Sequence, residues 1–291
     1  MLLQNSALTV EVSDVGSDYT RSRYDWCGII KQVTLNGTST FLSREVSPDG
    51  GCGLGGIGLC SVFEWAGTAT YDEAPVAGLF PMIGTGLLKK GSALPFQFTA
   101  DYEVTTFTRE CIPEGDEAVT FHTLPYLCCG IAVEQFKTIR ICGNSLTITH
   151  RLRNVGVKDI EATEFSHNFF MFNDYEVNGD YLLQLPYTIC PRLRRGTLKI
   201  QRDACWLGGF DAATASSAFW LNGYEGLKEH WMKLIHEPSG HSVLIEDHFP
   251  VVRFYSWNNR YAFCPETFCR ISLRPGEEMA YRRSYSFSEH L

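Results

Sequence analysis

Two side chains able to move protons sit in surroundings that call for an explanation. His167 lies within Phe165-Ser166-His167-Asn168-Phe169-Phe170, and Glu266 lies within Cys264-Pro265-Glu266-Thr267-Phe268. A histidine is poised near neutral pH as an acid or base, and a glutamate between a proline and an aromatic is costly to bury unpaired. Brought together, the two would make a general acid–base pair. Each also has a plainer reading. A histidine among phenylalanines is often a core residue with a satisfied ring nitrogen, and a glutamate at a strand end is commonly an exposed carboxylate.

The elements that must position them read as strands. Leu146, Ile148, His150 and Leu152 alternate with Thr147, Thr149 and Arg151, the period of a half-buried strand. Asn154-Val155-Gly156 supplies a turn. A second strand, with Ile160, Ala162 and Glu164 on one face, ends in the His167 segment, so the spacing predicts a strand–turn–strand pair delivering the histidine. Pro265 has no N–H to donate and is expected to hold Glu266 at a strand start or bulge.

The same pattern recurs along the chain. Strands are expected over 7–12, 29–35, 38–42, 97–105, 117–124, 130–142, 145–153, 159–166, 181–185, 196–201, 229–237, 240–246, 251–257, 267–274 and 278–287. Asn36-Gly37 between alternating runs is a hairpin signal. Residues 48–58 (PDGGCGLGGIG) are glycine-rich but lack the order of a dinucleotide fingerprint or a P-loop, and read as an accessible loop. Residues 71–91 read as loop with one short apolar segment. Ala212 to Trp220 is the one stretch suggesting a helical turn or two. With no linker, repeat or low-complexity segment, residues 1–291 read as a single all-β domain, a large antiparallel two-sheet sandwich.

Composition narrows the partners. A net charge of −8 lacks the basic footprint that nucleic acid requires. No apolar run approaches the length of a membrane span, and the first residues have no basic region, apolar run or cleavage site, so the expectation is a cytoplasmic protein. The 11 cysteines include no Cys-x-x-Cys, and zinc is improbable without paired ligand spacing. They read as mostly reduced, buried small hydrophobes with no structural disulfide.

Three features occur in order: a His-Asn-aromatic motif ending a mid-chain strand, a Pro-Glu motif in a C-terminal strand, and a Leu-x-Pro-Gly-Glu turn (Leu273 to Glu277) before a Tyr-x-Phe strand. In this the chain resembles the aldose 1-epimerase (galactose mutarotase-like) family over most of its length. Thr149 to Gly156 looks like the strand and turn preceding the family histidine, and Ser166 to Phe170 like its histidine segment, here with Asn168 after the histidine. Pro265-Glu266 matches the stretch carrying the base, and Arg23-Tyr24-Asp25-Trp26 and the segment from Gly67 to Glu73 resemble a less-studied branch. The resemblance implies a β-supersandwich that opens a pyranose at its anomeric carbon, with Glu266 removing the C1 hydroxyl proton and His167 protonating the ring oxygen. It implies a small-molecule sugar as partner and no metal or organic cofactor. Better-known members carry a second histidine in a glycine-flanked loop of the first third; no histidine here precedes His122, which points to a divergent branch acting on another sugar.

Further sugar-binding candidates are Arg23, through its fork of donors, Asn168, Glu64 and Glu73 beside the glycine-rich loop, and Trp257 as a stacking platform. Their plain readings are an Arg23–Asp25 surface ion pair, solvated loop charges and a core tryptophan. A non-catalytic carbohydrate-binding protein on the same fold would use the aromatics and Arg23 without proton transfer; against a related polysaccharide lyase or glycosidase domain stands the short chain, with no obvious appended helical domain. Two side chains in one pocket, roughly a sugar ring apart, would favour the enzyme. The sequence leaves open the sugar and whether the protein is a monomer or dimer.

Overall fold

Period-two stretches become strands throughout the computed structural model, which describes residues 1–47, 51, 53–210, 215–227 and 229–289. In chain order these are β1 (Leu2–Gln4), β2 (Leu8–Val12), β3 (Ile30–Leu35), β4 (Ser39–Thr40), β5 (Leu59–Trp65), β6 (Leu79–Met82), β7 (Gly86–Lys89) and β8 (Val104–Thr106). Next come β9 (Arg109–Pro113), β10 (Ala118–Thr123), β11 (Val133–Cys142), β12 (Ser145–Asn154), β13 (Ile160–Asn168), β14 (Tyr181–Gln184), β15 (Cys190–Arg195) and β16 (Leu198–Gln201). The last are β17 (Ala204–Leu207), β18 (Ser217–Asn222), β19 (His230–His236), β20 (Ser242–Asp247), β21 (Val251–Asn259), β22 (Ala262–Leu273) and β23 (Glu278–Ser288). A five-residue helix, α1 (Ala69–Glu73), precedes β6. Among the described residues no helix is long and apolar enough to cross a membrane.

Two large antiparallel sheets carry the architecture. The first runs β1-β2-β3-β5-β13-β22-β21-β18-β15, with β4 pairing β3; the second runs β16-β17-β14-β19-β20-β23-β12-β11-β10-β9; β6-β7-β8 form a small third sheet. Between the large sheets lies an apolar core including Val33, Phe121, Ile139, Leu146, Phe170, Phe219 and Tyr285. A second cluster, with Tyr24, Trp26, Cys60, Val62, Phe165, Phe169, Cys264 and Phe268, gathers on one side of β5, β13 and β22. Alternation explains the division. Glu164 and Asn168 reach Arg283 and Tyr285 of the second sheet, so the interleaved Phe165 and His167 face away from it.

Several expectations change. β12 and β13 belong to different sheets, so Asn154-Val155-Gly156 is no hairpin turn but a link between layers. Asn154 fixes it, its Nδ2 donating to the Lys158 and Leu273 carbonyls while its Oδ1 accepts from Gly156 N. Pro265 stands inside a continuous strand, not at its start. The expected return strand at 38–42 shortens to Ser39–Thr40, although Asn36 and Gly37 do turn with φ of 51° and 74°. Of the glycine-rich stretch, 48–50 and 52 lie outside the described residues, as do 212–214 of the expected helical turn; its residues 217–220 belong to β18. Residues 71–91 hold the end of α1 and all of β6 and β7.

The cysteines also divide. Cys27, Cys60, Cys205, Cys264 and Cys269 are buried, whereas Cys111, Cys142 and Cys190 are exposed, and all the described cysteines are free thiols. Cys142 follows buried Ile141 in β11, so alternation turns it outward.

Candidate active site

His167 and Glu266 face one another across two neighbouring strands. The register of β13 with β22 pairs Phe165 with Phe268. It resumes, without a slip, at the bridge between Phe170 and Phe263. Counting inward from either end sets His167 opposite Glu266. Phe170 and Phe263 exchange both backbone hydrogen bonds, at 3.2 and 2.9 Å. Bonded and non-bonded pairs alternate along an antiparallel ladder, so His167 and Glu266 fall on a non-hydrogen-bonded position, where side chains approach most closely. Their Nε2 and Oε1 atoms lie 3.3 Å apart.

That distance is a close contact without a hydrogen bond. The atoms are off the line a hydrogen bond needs, and Glu266 Oε1 and His167 Nδ1 have no hydrogen-bonding partner. Both side chains are nearly enclosed, at 7% and 4% exposure. Burial, joined by the positive charge of Arg23, pushes the His167 imidazole well below its usual range. Burial pushes the Glu266 carboxyl well above its own; Arg23 opposes this and Glu64 adds to it. Burial thus works against the charged form of each group, favouring a carboxyl beside a neutral imidazole.

Aromatic rings wall the pair. Phe169 stacks on the imidazole with centroids 4.3 Å apart, while Tyr24 and Trp257 meet it edge-on, each 6.1 Å away. Tyr255 is the cross-strand neighbour of Glu266 on β21 and packs on Trp220. Arg23 lies over Phe98 and Tyr24, 5.0 and 5.4 Å from their centroids, and its Nε is buried without a partner. Burial alone would weaken its charge, but Tyr24, Glu266 and Glu45 outweigh that and raise its pKa. Arg23 does not pair with Asp25, which is buried and engaged by Gln135 and Lys137. Glu64 bonds Arg253, whose guanidinium covers Phe268. These side chains share the outer face with the pair.

Two candidates lie elsewhere. Asn168 follows His167 directly, so the strand turns it to the opposite face, where it is fully buried and bonded to Pro265 and Tyr285. It therefore does not face a sugar lodged at His167. Glu73 is exposed on α1 and pairs with Lys158 at 2.5 Å, in a separate groove with Trp65, Gly67 and Asp159. Glu45, which sequence reasoning passed over, is part of the site: its Oε2 accepts from the Tyr24 hydroxyl at 3.3 Å and from Gly56 N at 3.0 Å. No local signal marks it, because a glutamate beside a glycine-rich loop reads as a solvated charge.

No protein-family model matches the chain, and no curated protein matches it in sequence. Solved structures do match over nearly its whole length. A galactose mutarotase-like protein from Lactobacillus casei covers 99% of this chain and 99% of its own, at 13% identity and a TM-score of 0.58. A galactose 1-epimerase from Lactobacillus acidophilus covers 100% and 94%, at 15% identity and a TM-score of 0.55. This is the galactose mutarotase-like fold. A further galactose mutarotase-like protein, from Clostridium acetobutylicum, covers 98% and 100%, at 11% identity and a TM-score of 0.55. At such identities the shared fold is what these matches establish.

Proposed function

We propose that this protein interconverts the α and β anomers of an aldose, opening and reclosing the pyranose with His167 and Glu266 as its acid–base pair. The observation that carries this reading is the direct opposition of the two side chains at 3.3 Å. The C1 hydroxyl and the ring oxygen are bonded to the same carbon. A group that takes a proton from one and a group that gives a proton to the other must therefore be neighbours; a full ring's separation, as the sequence reading expected, is more than the chemistry needs.

Proton bookkeeping closes within the pair. Transfer of one proton from Glu266 to His167 gives carboxylate and imidazolium. Glu266 then takes the C1 hydroxyl proton as the bond from C1 to the ring oxygen breaks, and His167 protonates that oxygen, so no alkoxide accumulates. The open aldehyde rotates about C1–C2. Reclosure on the other face returns a proton from Glu266 to the new C1 hydroxyl and one from the attacking hydroxyl to His167. Burial favours the acid-plus-imidazole state, which is the state that accompanies the open-chain sugar. Arg23, with its unpartnered Nε, and the face of Trp257 would hold sugar hydroxyls and ring.

The test is an NMR panel of freshly dissolved pure anomers, with and without protein. Faster equilibration of at least one sugar supports the proposal. Unchanged rates across neutral, acidic and phosphorylated aldoses, together with saturable binding of one of them, would leave a carbohydrate-binding protein instead.

A further inference from the structure

Pro265 occupies a place where proline is rarely found. β22 is flanked by β13 and β21, and central strands exclude proline because it cannot donate to the ladder. The bonded positions between β13 and β22 continue from Phe170–Phe263 to Asn168–Pro265, and there the N–H of residue 265 is missing. The paired stretch of the two strands stops at Phe165–Phe268, short of Pro265. Glu266 is thus carried by a segment that has lost a backbone tie on its His167 side.

Side chains of the sandwich interior hold that segment. Asn168 Nδ2 donates to the Pro265 carbonyl at 2.6 Å, and the Tyr285 hydroxyl, from β23 of the second sheet, donates to Asn168 Oδ1 at 3.0 Å. Arg283 Nη2 donates to the Thr267 carbonyl at 2.9 Å. The carbonyls on both sides of Glu266 are therefore gripped from beneath, while its side chain points to the outer face. Asn168 and Tyr285 are fully buried, so neither has a route to a ligand.

We propose that Asn168, oriented by Tyr285, is a positioning residue for Glu266: its amide takes over where proline breaks the ladder and holds the carboxyl against His167. The inference rests on the acid–base reading of that pair for its kinetic consequence, but not for its geometry. The proline opens the strands at the one point where two reactive side chains meet, and the amide keeps that opening from becoming a loose bulge.

Asn168→Asp tests it, because the shape is kept while the N–H donor becomes an acceptor that faces a carbonyl. With a turned-over aldose, kcat should fall at least tenfold while KM stays within about twofold, since the sugar-facing side is untouched. Tyr285→Phe should lower kcat by a smaller factor. Independently of activity, the imidazole nitrogen shifts of His167, assigned against a His167→Asn spectrum, should move in both variants. Parent kcat and parent His167 shifts in a folded Asn168→Asp protein would overturn the proposal. If the parent protein turns over no sugar, the shifts alone decide: moved signals uphold the positioning role while the mutarotase reading fails, and unmoved signals end both. If Asn168→Asp does not fold, Tyr285→Phe is judged by the same two readouts.

Discussion

The Phe169 ring lies flat against the His167 imidazole, centroids 4.3 Å apart and planes within 8°. The two residues are separated by one position and so share a face of the chain. Gly56 leaves the phenylalanine room to lie there: a Cβ at that position would meet Phe169 Cζ at 2.3 Å and the Tyr24 hydroxyl at 2.8 Å. We expect Gly56→Ala to displace Phe169, cost about 1–3 kcal/mol of stability as overpacking does, and lower kcat by tenfold or more through a tilted imidazole. Unfolding midpoints and anomer-exchange rates measured together check this; unchanged values in both would show that the loop yields without disturbing the stack.

The acid–base pair should behave as a unit. His167→Asn and Glu266→Gln keep size and polarity, and each should remove most of the catalysis, of the order of 10²–10⁴ in rate. The double variant should lose little more than either single one. Additive losses would mean that the two residues act separately, and parent rates in both single variants would make the pair structural.

A bell-shaped dependence of kcat/KM on pH is expected, because the competent pair carries one exchangeable proton. Below the acid limb both groups are protonated; since burial and Arg23 lower His167, that limb should lie below the ordinary histidine value of about 6.5. Above the alkaline limb the pair is stripped of its proton; since burial raises Glu266, that limb should lie well above the ordinary glutamate value of about 4.3. A profile that rises once through about 4.3 and then stays flat would show a solvated carboxylate acting alone.

Glu266 should also weaken the fold at neutral pH. Its folded-state pKa is raised by burial, so the native protein holds a proton that the unfolded chain releases above about 4.3. Its contribution is complete below that value and is lost as pH rises toward the folded-state pKa. Glu266→Gln, which has no charge to desolvate, should melt at or above the parent temperature near pH 8, with the gap closing toward pH 4.5. Melting curves of both proteins across that range decide it, and a gap that widens on acidification has the wrong sign.

The interior contains a chain of polar side chains: Asp247 accepts from Arg283 Nε at 2.6 Å and meets His230 Nδ1 at 3.0 Å, while His230 Nε2 reaches the Tyr187 hydroxyl at 2.9 Å. Burial alone would raise the Asp247 carboxyl, but Arg283 and His230 outweigh it and keep it ionised. Asp247→Asn leaves Arg283 without its closest counter-charge and should cost about 3–5 kcal/mol, read as a fall in the denaturant midpoint. A loss under about 1 kcal/mol would mean that Glu164, 3.8 Å from Arg283, replaces it.

Much of the fold is legible residue by residue, because alternation is a local property. Leu146 to Leu152 and Ile160 to Phe165 show which side chains share a face before any partner strand is known. Asn168 was legible in the same way: as the immediate neighbour of His167 on a strand it had to face the opposite side, and hydrogen-bonding capacity alone misplaced it. The Asn154 turn was visible, but not that it links two layers, because a hairpin and a crossover can begin with the same residues. Pro265 argued against a strand interior, yet the strand continues through it, paired with Ser256 of β21 and bonded by the Asn168 side chain.

The sequence by itself determined an all-β chain and singled out His167 and Glu266 by the company they keep. Their meeting is a matter of tertiary structure. Two strands far apart in sequence had to pair in one register, and a slip of a single residue would have turned one of the two side chains into the sandwich interior. In that register Phe165 packs on Phe268 and Phe170 lies near Tyr285 of the second sheet, contacts that no local pattern encodes. Glu45 and Gly56 join the site for the same reason: a loop brings them there, and a loop's course depends on what it packs against.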